Sequence, residues 1–254
     1  MSRPARILSE TGIYHIVFRG MNRQDIFEEE RDYEKLLEII EKVKCEFSFE
    51  LYGYCLMTNH VHLFIKENEQ GDIKKIMHKI LSVYVGWFNF KYRRSGSLIG
   101  NRYKSEPIED DKYYLTLLRY IHQNPLKAGM VDKLKDYRWS SYISYVEGKK
   151  SIVDKAFVLE MFHENEKRAI KRFEDFHEEF DDENFEISEK IRYTDDQLRR
   201  KMQKELKMED LSLIKSMPKA ERNETIMKLR ELGFSIRQIE RLTGVSRGII
   251  CKIK

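Results

Sequence analysis

Apolar residues in the first half of the chain alternate between the spacing of strands and the spacing of helices. Runs rich in β-branched and aromatic residues predict strands at 12–19, 49–57, 60–66 and 100–108. Apolar residues at three- and four-residue intervals predict helices at 29–46, 71–92 and 110–128. The order β-α-β-β-α-β-α predicts an α+β domain, a ferredoxin-like split βαβ antiparallel sheet with helices on one face.

The rest of the chain is expected to be mainly helical. We place the first domain at 1–150, an acidic helical linker at 151–190 and a helical domain at 191–254. The apolar spacing predicts a helix at 218–232 that breaks at Gly233.

The C-terminal residues follow the pattern of a helix-turn-helix. Ser235 is placed to cap one short helix and Ser246 to cap the last one, with a Gly-containing turn between them. In DNA-binding proteins the second helix of this motif enters the major groove, which would bring Arg247 and Lys252 to the DNA. A helical hairpin that only serves packing is the alternative.

The 254-residue chain has a formal net charge of +4, but its charges are unevenly distributed. Residues 70–104 carry eight Lys or Arg and one acidic residue, whereas 158–189 carry twelve acidic and four basic residues. Residues 190–254 carry seventeen basic and nine acidic residues. Local positive surface favours nucleic-acid binding, although most charge runs are solvated helix faces. The acidic stretch 174–189 could compete with DNA for the basic face.

Composition predicts the compartment. No stretch approaches the roughly 18 apolar residues that a membrane span requires, and the N-terminus lacks the apolar core of a signal peptide. The three cysteines show no ligand-like spacing, which favours a reducing environment. We therefore expect a cytoplasmic protein with no membrane partner.

A His-Val-His triplet lies in the strand predicted at 60–66. Residues i and i+2 of a strand point to the same face, so His60 and His62 would present two imidazoles together. Such a pair can hold a divalent metal ion, and burying it without partners is costly. Two ordinary core histidines are the alternative. No third His or Cys stands at zinc-like spacing.

The helix predicted at 110–128 contains three tyrosines, and only Tyr120 has a polar residue one turn further on. That residue, Asn124, would share a helix face with Tyr120. An amide oxygen and two imidazoles would suit Mg²⁺ or Mn²⁺, and a nearby tyrosine hydroxyl suggests phosphodiester cleavage through a covalent link. A packing role for Tyr120 is the alternative. Pro125 biases Asn124 away from helical dihedral angles, which would distort this arrangement.

Basic and aromatic side chains interleave in residues 74–104. Such mixtures bind single-stranded nucleic acid, with cations on phosphates and rings stacked on bases. Tyr84 and Trp87 fall on the apolar stripe of their helix and are expected in the core. The candidates for phosphate contact are therefore the basic residues Lys91, Arg93, Arg94, Arg102 and Lys104.

Three blocks of the chain resemble the motifs of the single-tyrosine HUH transposases, and most closely those of the REP-associated tyrosine transposases. The blocks are Gly12–Gly20, Met57–Leu63 and Arg119–Gly129, within a resemblance that spans about 7–147. The resemblance implies a ferredoxin-like sheet with the two histidines on a central strand. It also implies single-stranded DNA with a nearby hairpin as the substrate.

The resemblance further implies a role for each site residue. His60, His62 and Asn124 would bind the metal ion, and Tyr120 would attack phosphorus to leave a 5′-phosphotyrosine and a free 3′-OH. The C-terminal helices fit longer members of the broad family and could add recognition of double-stranded DNA. The protein could be a monomer or a homodimer, and we expect the site to be completed in cis.

Other functions remain open from the residues alone. A non-catalytic DNA-binding regulator would keep the fold and use only the C-terminal helices. A replication initiator or relaxase would use the same HUH chemistry in another context. A metallohydrolase that activates water is disfavoured by the presence of only two histidine ligands.

Overall fold

A four-stranded antiparallel sheet organises the first part of the chain. The computed structural model describes residues 7–147, 151–179, 195–206, 208–232, 234, 236–251 and 253. The strands are β1 (Ile13–Arg19), β2 (Glu50–Met57), β3 (His60–Lys66) and β4 (Lys104–Pro107). Their order in the sheet is β2-β3-β1-β4, which confirms the predicted split βαβ arrangement.

Among the described residues, six α-helices accompany this sheet. They are α1 (Glu30–Phe47), α2 (Ile73–Lys91), α3 (Asp111–Lys127), α4 (Tyr142–Val146), α5 (Lys155–Glu160) and α6 (Glu166–Glu178). Helices α1 and α2 pack against each other, as the ferredoxin-like prediction requires. Helix α3 packs on β2, and Tyr114 of α3 contacts Phe64 of β3 with ring centroids 4.5 Å apart. Since Phe64 shares a face with His60 and His62, α3 covers the face that carries the two histidines.

The N-terminus of α1 and the C-terminus of α2 meet at a fully buried carboxylate, Asp32. Its oxygens accept hydrogen bonds from the backbone amides of Glu28 and Glu29, at 2.7 and 3.0 Å, which caps α1. The ammonium of Lys91 and the hydroxyl of Tyr92 also bind this carboxylate. Asp32 therefore anchors the end of α2.

The outer edge of β2 is closed by a later segment of the chain. The backbone amide of Leu56 donates to the carbonyl of Trp139, and the amide of Ser141 donates to the carbonyl of Tyr54. In the middle of this strand, Gly53 allows α3 to approach closely. A Cβ atom on Gly53 would stand 2.6 Å from Cδ1 of Leu118 on α3. The distance between the sheet and α3 thus depends on the absence of a side chain at this position.

Residues 151–179 pack on the first unit instead of forming a separate linker. Buried residues of α5 and α6, including Val158, Ala169 and Phe173, belong to the same apolar core as the sheet. The boundary between compact units lies at 187 and 188, not near residue 150. Residues 180–189 of the acidic stretch lie outside the described residues.

The second unit has its own apolar core. Its helices are α7 (Asp195–Leu206), α8 (Lys219–Glu231), α9 (Ile236–Thr243) and α10 (Arg247–Ile250), with a 3-10 helix at Leu211–Ser216 between α7 and α8. The core includes Ile226, Ile239 and Ile250. The second unit therefore has an apolar core that is formed by its own residues.

The turn between α9 and α10 contains Gly244 at a φ of 72°, a conformation that favours glycine. Ser246 occupies the N-cap position of α10, but its side chain makes no capping hydrogen bond, so this detail of the prediction is wrong. The amide of Arg247 donates instead to Oε1 of Glu240 at 3.0 Å. Gly233, Ser235 and Lys252 lie outside the described residues, and the helix-turn-helix stays a prediction.

None of the helices in the described ranges is both long and apolar enough to span a lipid bilayer.

Candidate active site

Strand β3 presents His60 and His62 on the same face of the sheet. Their ring centroids lie 5.1 Å apart, and the rings are nearly perpendicular. His60 is half-buried, with Nδ1 2.7 Å from Oδ1 of Asn59, whereas His62 is buried. Both imidazoles therefore lie at the N-terminal end of a central strand, where the protein holds them in place.

Burial keeps both imidazoles neutral at physiological pH. Burial, together with a smaller contribution from the charge of Arg19, lowers the pKa of His60 to about 4. Burial also lowers the pKa of His62 well below its ordinary value, with smaller contributions from the neighbouring histidines and Arg19. A neutral imidazole has a free lone pair, which is the form that binds a metal ion.

The donor atoms fit a divalent metal ion. Nε2 of His62 is buried and has no hydrogen-bond partner, an arrangement that is costly unless a ligand satisfies it. Within the described part of the chain, no cluster of three or more His, Cys, Asp or Glu side chains is placed to hold a metal. A third protein ligand would therefore come from another residue type, and the amide of Asn124 is the candidate from the sequence.

Helix α3 brings Tyr120 to the two histidines within one chain. The Tyr120 ring centroid lies 5.8 Å from that of His62, edge to face, and Tyr120 is 5% exposed. The ammonium of Lys127, two turns further on, lies 5.2 Å from the centroid of the Tyr120 ring. Tyr120 thus reaches the site of the two histidines, as a site completed in cis requires.

The amide of Asn124 is held by the helix turn that carries Tyr120. Its Nδ2 donates to the carbonyl of Tyr120 at 2.8 Å. Helix α3 continues through Pro125, and the amide of Ala128 donates to the carbonyl of Asn124 at 2.9 Å. The distortion expected from Pro125 is therefore absent at Asn124, and the i, i+4 relation to Tyr120 is kept.

Two cationic residues share the face of the histidines. Arg19 of β1 lies opposite His60 in the register, and Lys104 of β4 lies opposite Val17, which in turn faces His62. Cross-strand partners point to the same side of an antiparallel sheet. Two positively charged residues therefore lie on the same face of the sheet as the histidine pair.

The other basic candidates differ in their surroundings. Arg93 and Arg102 are exposed, and Arg94 is exposed with its guanidinium 2.9 Å from Oε1 of Gln24. Lys91 forms ion pairs with Asp32 and Glu29. Since these carboxylates already neutralise its charge, the structure argues against Lys91 as a phosphate contact. In the second unit, Arg247 is exposed at the start of α10.

A second buried histidine pair lies behind Tyr120. Nδ1 of His122 is 2.9 Å from Nε2 of His177 on α6, and Nε2 of His122 is 2.7 Å from Oγ of Ser141. Gln123 donates to the carbonyls of His177 and Glu179 at 2.9 Å. These contacts occupy His122, which is therefore not placed to act as a base for Tyr120.

Sequence reasoning missed two residues of the site face, His15 and Arg19. His15 is fully buried, and its Nε2 lies 2.9 Å from Nδ1 of His62. The alternation of His15, Val17 and Arg19 along β1 is visible in the sequence. What this alternation does not reveal is that β1 pairs with β3 in the register that faces the histidines.

Comparisons with known proteins agree with this geometry. The family model of the IS200-like transposases matches residues 9–124. A curated Haemophilus influenzae protein, named as a REP-associated tyrosine transposase, is 29% identical over 154 residues, which cover 56% of this chain and 86% of that protein. The fold resembles a solved REP-associated tyrosine transposase bound to a REP hairpin, with 23% identity and a TM-score of 0.50 over 60% of this chain and 90% of that one.

The proteins that this chain resembles in sequence and fold are tyrosine transposases, a class of DNA-cleaving enzymes. Residues 9–124 match the model of the IS200-like transposase family, and the chain is similar to the REP-associated tyrosine transposases.

Proposed function

We propose that this protein is a metal-dependent endonuclease and strand transferase that cleaves single-stranded DNA through Tyr120. One observation carries the proposal: Nε2 of the buried His62 has no hydrogen-bond partner among the described residues, and the ring of Tyr120 lies beside it. An unsatisfied lone pair and a phenol on the same sheet face are what a metal-assisted attack on a phosphodiester requires.

Three protein atoms would hold the metal ion. They are Nε2 of His62, the corresponding nitrogen of His60 and the amide oxygen of Asn124. Imidazole and amide ligands with phosphate oxygens are compatible with Mg²⁺ or Mn²⁺, and the family generally depends on a divalent ion. When bound, the ion would polarise the scissile phosphate as a Lewis acid.

The chain's own residues perform the transfer. The phenolic oxygen of Tyr120 loses its proton and bonds to phosphorus, while the bond between phosphorus and the 3′ oxygen breaks and that oxygen takes up a proton. Arg19 and Lys104 stabilise the negative charge that grows on the phosphate. The reaction exchanges one phosphodiester bond for another. A 3′-OH can therefore attack the phosphotyrosine, reverse the step and complete strand transfer.

The nucleic acid is proposed from the relative and from charge. The similar solved transposase is bound to a REP hairpin, and we propose a hairpin flanking the cleavage site for this chain too. The exposed Arg93, Arg94 and Arg102 would contact phosphates beside the site that Lys104 and Arg19 border. We assign cleavage to the unit that contains the sheet and propose that residues 191–254, with Arg247, bind flanking double-stranded DNA.

The test uses end-labelled single-stranded DNA from both flanks of the gene, incubated with the protein and Mg²⁺ or Mn²⁺. A denaturing gel reports DNA that is covalently attached to protein. We expect an adduct with the wild type and none with Tyr120→Phe, while both bind DNA with affinities within about twofold.

The remaining outcomes separate the alternatives. Cleavage that survives Tyr120→Phe would indicate a metallohydrolase that uses water. DNA binding without any adduct from either flank, in a protein that binds the metal ion, would favour a non-catalytic regulator. A protein that binds no divalent ion would contradict the proposal.

A further inference from the structure

The imidazole of His15 lies against the proposed metal ligand His62. The two rings are stacked, with centroids 5.2 Å apart and an interplanar angle of 15°. The contact joins Nε2 of His15 to Nδ1 of His62 at 2.9 Å, which is a normal hydrogen-bond length. Both side chains are buried, so water does not compete for this bond.

The proton in this bond decides whether His62 can bind a metal. A neutral imidazole carries one proton, on either of its two nitrogens. If His62 is protonated on Nδ1 and donates to His15, its Nε2 keeps a lone pair. If His15 donates instead, His62 carries its proton on Nε2 and has no lone pair left for a metal ion.

The unsatisfied atoms indicate which arrangement the site uses. Nε2 of His62 and Nδ1 of His15 are the buried ring nitrogens without a partner. A metal ion on Nε2 of His62 would satisfy the first, provided that Nε2 of His15 accepts the proton of His62. Metal-binding histidines usually donate their other N–H to a carboxylate, a carbonyl or water, and here a second imidazole occupies that position.

We propose that His15 is a positioning residue of the metal site, which accepts a hydrogen bond from Nδ1 of His62 and thereby fixes the tautomer and orientation that bind the metal ion. This inference rests on the proposed function, because it takes His62 as a metal ligand. His15 touches neither the metal nor the DNA in this role. It acts through His62 alone.

The neighbourhood of His15 is consistent with this role. In the sheet register it lies opposite Phe64 on β3, two pairs along from Val17 and His62 and therefore on the same face of the sheet. An apolar residue would fill this buried position without leaving a ring nitrogen unsatisfied. The imidazole of His15 forms a hydrogen bond with His62. This contact explains why a histidine, and not an apolar residue, occupies the position.

The first experiment measures Mn²⁺ affinity without DNA. Free Mn²⁺ is followed by electron paramagnetic resonance during titration of the untagged full-length protein. We expect His15→Phe, which keeps the ring but removes the acceptor, to weaken binding by about 10–100-fold. His15→Gln places an amide oxygen near the position of Nε2, so it should restore binding to within about threefold of the wild type.

The matched control is His177→Phe, which removes an equally buried histidine that also hydrogen-bonds another histidine. It should leave Mn²⁺ affinity within about twofold of the wild type. A folded His15→Phe protein that binds Mn²⁺ as tightly as the wild type would overturn the role of His15 and leave the proposed function intact. A wild type that binds no Mn²⁺ would overturn both.

The second experiment needs no variant and decides the question if His15→Phe does not fold. Long-range ¹H–¹⁵N correlation spectra of the Mg²⁺-loaded wild type show which ring nitrogen carries the proton. We expect His62 to be protonated on Nδ1 and His15 to be bare on Nε2. A proton on Nε2 of His15 would make His15 the donor and would overturn the proposal.

Discussion

Two buried histidine pairs, His15–His62 and His122–His177, have the same nitrogen–nitrogen distance of 2.9 Å but different surroundings. In the pair between α3 and α6 every ring nitrogen has a partner, because Ser141 binds His122 and the carbonyl of Phe173 lies 2.8 Å from His177. In the pair on the sheet, one nitrogen of each ring has none.

This difference separates a structural pair from a binding pair. A saturated network of buried polar groups stabilises the fold and leaves nothing for a ligand. A pair with an unsatisfied lone pair is costly for the free protein and is worth that cost only if something binds there. Burial alone would have given both pairs the same interpretation.

The largest expected effect comes from His62→Leu. It removes the unsatisfied nitrogen and a proposed ligand together, so Mn²⁺ affinity should fall by more than the roughly 100-fold limit expected for a residue that only orients a ligand. The free energy of unfolding should fall by less than in His177→Phe, because the loss of the unsatisfied Nε2 of His62 offsets part of the cost of leaving Nε2 of His15 without its partner. Mn²⁺ titration and urea unfolding measure the two quantities, and a large loss of stability with intact Mn²⁺ binding would reverse the comparison.

The opposite pattern is expected for His177→Phe. It leaves Nδ1 of His122 without a partner in the core between α3 and α6, which should lower the free energy of unfolding by about 2–4 kcal/mol. Mn²⁺ affinity should stay close to that of the wild type. Urea unfolding at pH 7 checks the first statement, and an unchanged midpoint would show that the saturated pair contributes little.

The stability of the protein should decrease in acid. Burial lowers the pKa of His177 to about 3, whereas an unfolded histidine titrates near about 6.5. The unfolded chain therefore binds more protons between these values, so stability is complete above about pH 6.5 and is lost as the pH falls toward 3. Each such histidine contributes a slope of up to about 1.4 kcal/mol per pH unit.

His177→Phe removes one of these titrating groups. Urea unfolding at pH 7, 6 and 5 should therefore give a flatter pH dependence for this variant than for the wild type. Parallel curves would mean that His177 does not stay neutral in the folded protein.

The smallest effect is expected for Ser141→Ala. The Ser141 hydroxyl accepts from the amide of Tyr54 at 2.8 Å and binds Nε2 of His122. Its loss should cost about 1 kcal/mol, less than the loss of His177, because part of the network remains. Since Ser141 and His177 share His122, the double variant should be less destabilised than the sum of the single variants. Strict additivity, measured by urea unfolding, would indicate that the network is not coupled.

Local sequence patterns predicted the parts of the site that depend on a single element. The strand period placed His60 and His62 on one face, and the helix period placed Asn124 one turn from Tyr120. The order of strands and helices was enough to predict the ferredoxin-like sheet, since few topologies fit it.

The parts that depend on pairing between distant segments could not be predicted. His15 and Arg19 face the site because of the register between β1 and β3, which the alternation within β1 does not specify. Lys91 has the composition of a phosphate contact, but its partner Asp32 lies 59 residues earlier. Its ion pair with Asp32 therefore could not be foreseen from the local sequence.

The acidic region shows a pattern that charge concealed. Ala169, Phe173 and His177 recur at four-residue intervals and form the buried face of α6. This periodicity is present in the sequence and predicts a packed helix at this position. The high density of acidic residues around it instead suggested a linker.

Gly53 sets the distance between α3 and β2. Leu118 of α3, two residues before Tyr120, packs directly on the backbone of β2 at Gly53. The distance between Tyr120 and the sheet therefore depends on the absence of a side chain at position 53. Each carbon atom added at position 53 would push α3 away from the sheet. Gly53→Ala and Gly53→Val would therefore increase the distance between α3 and the sheet in steps. The series would show how far Tyr120 can lie from the sheet before cleavage is lost.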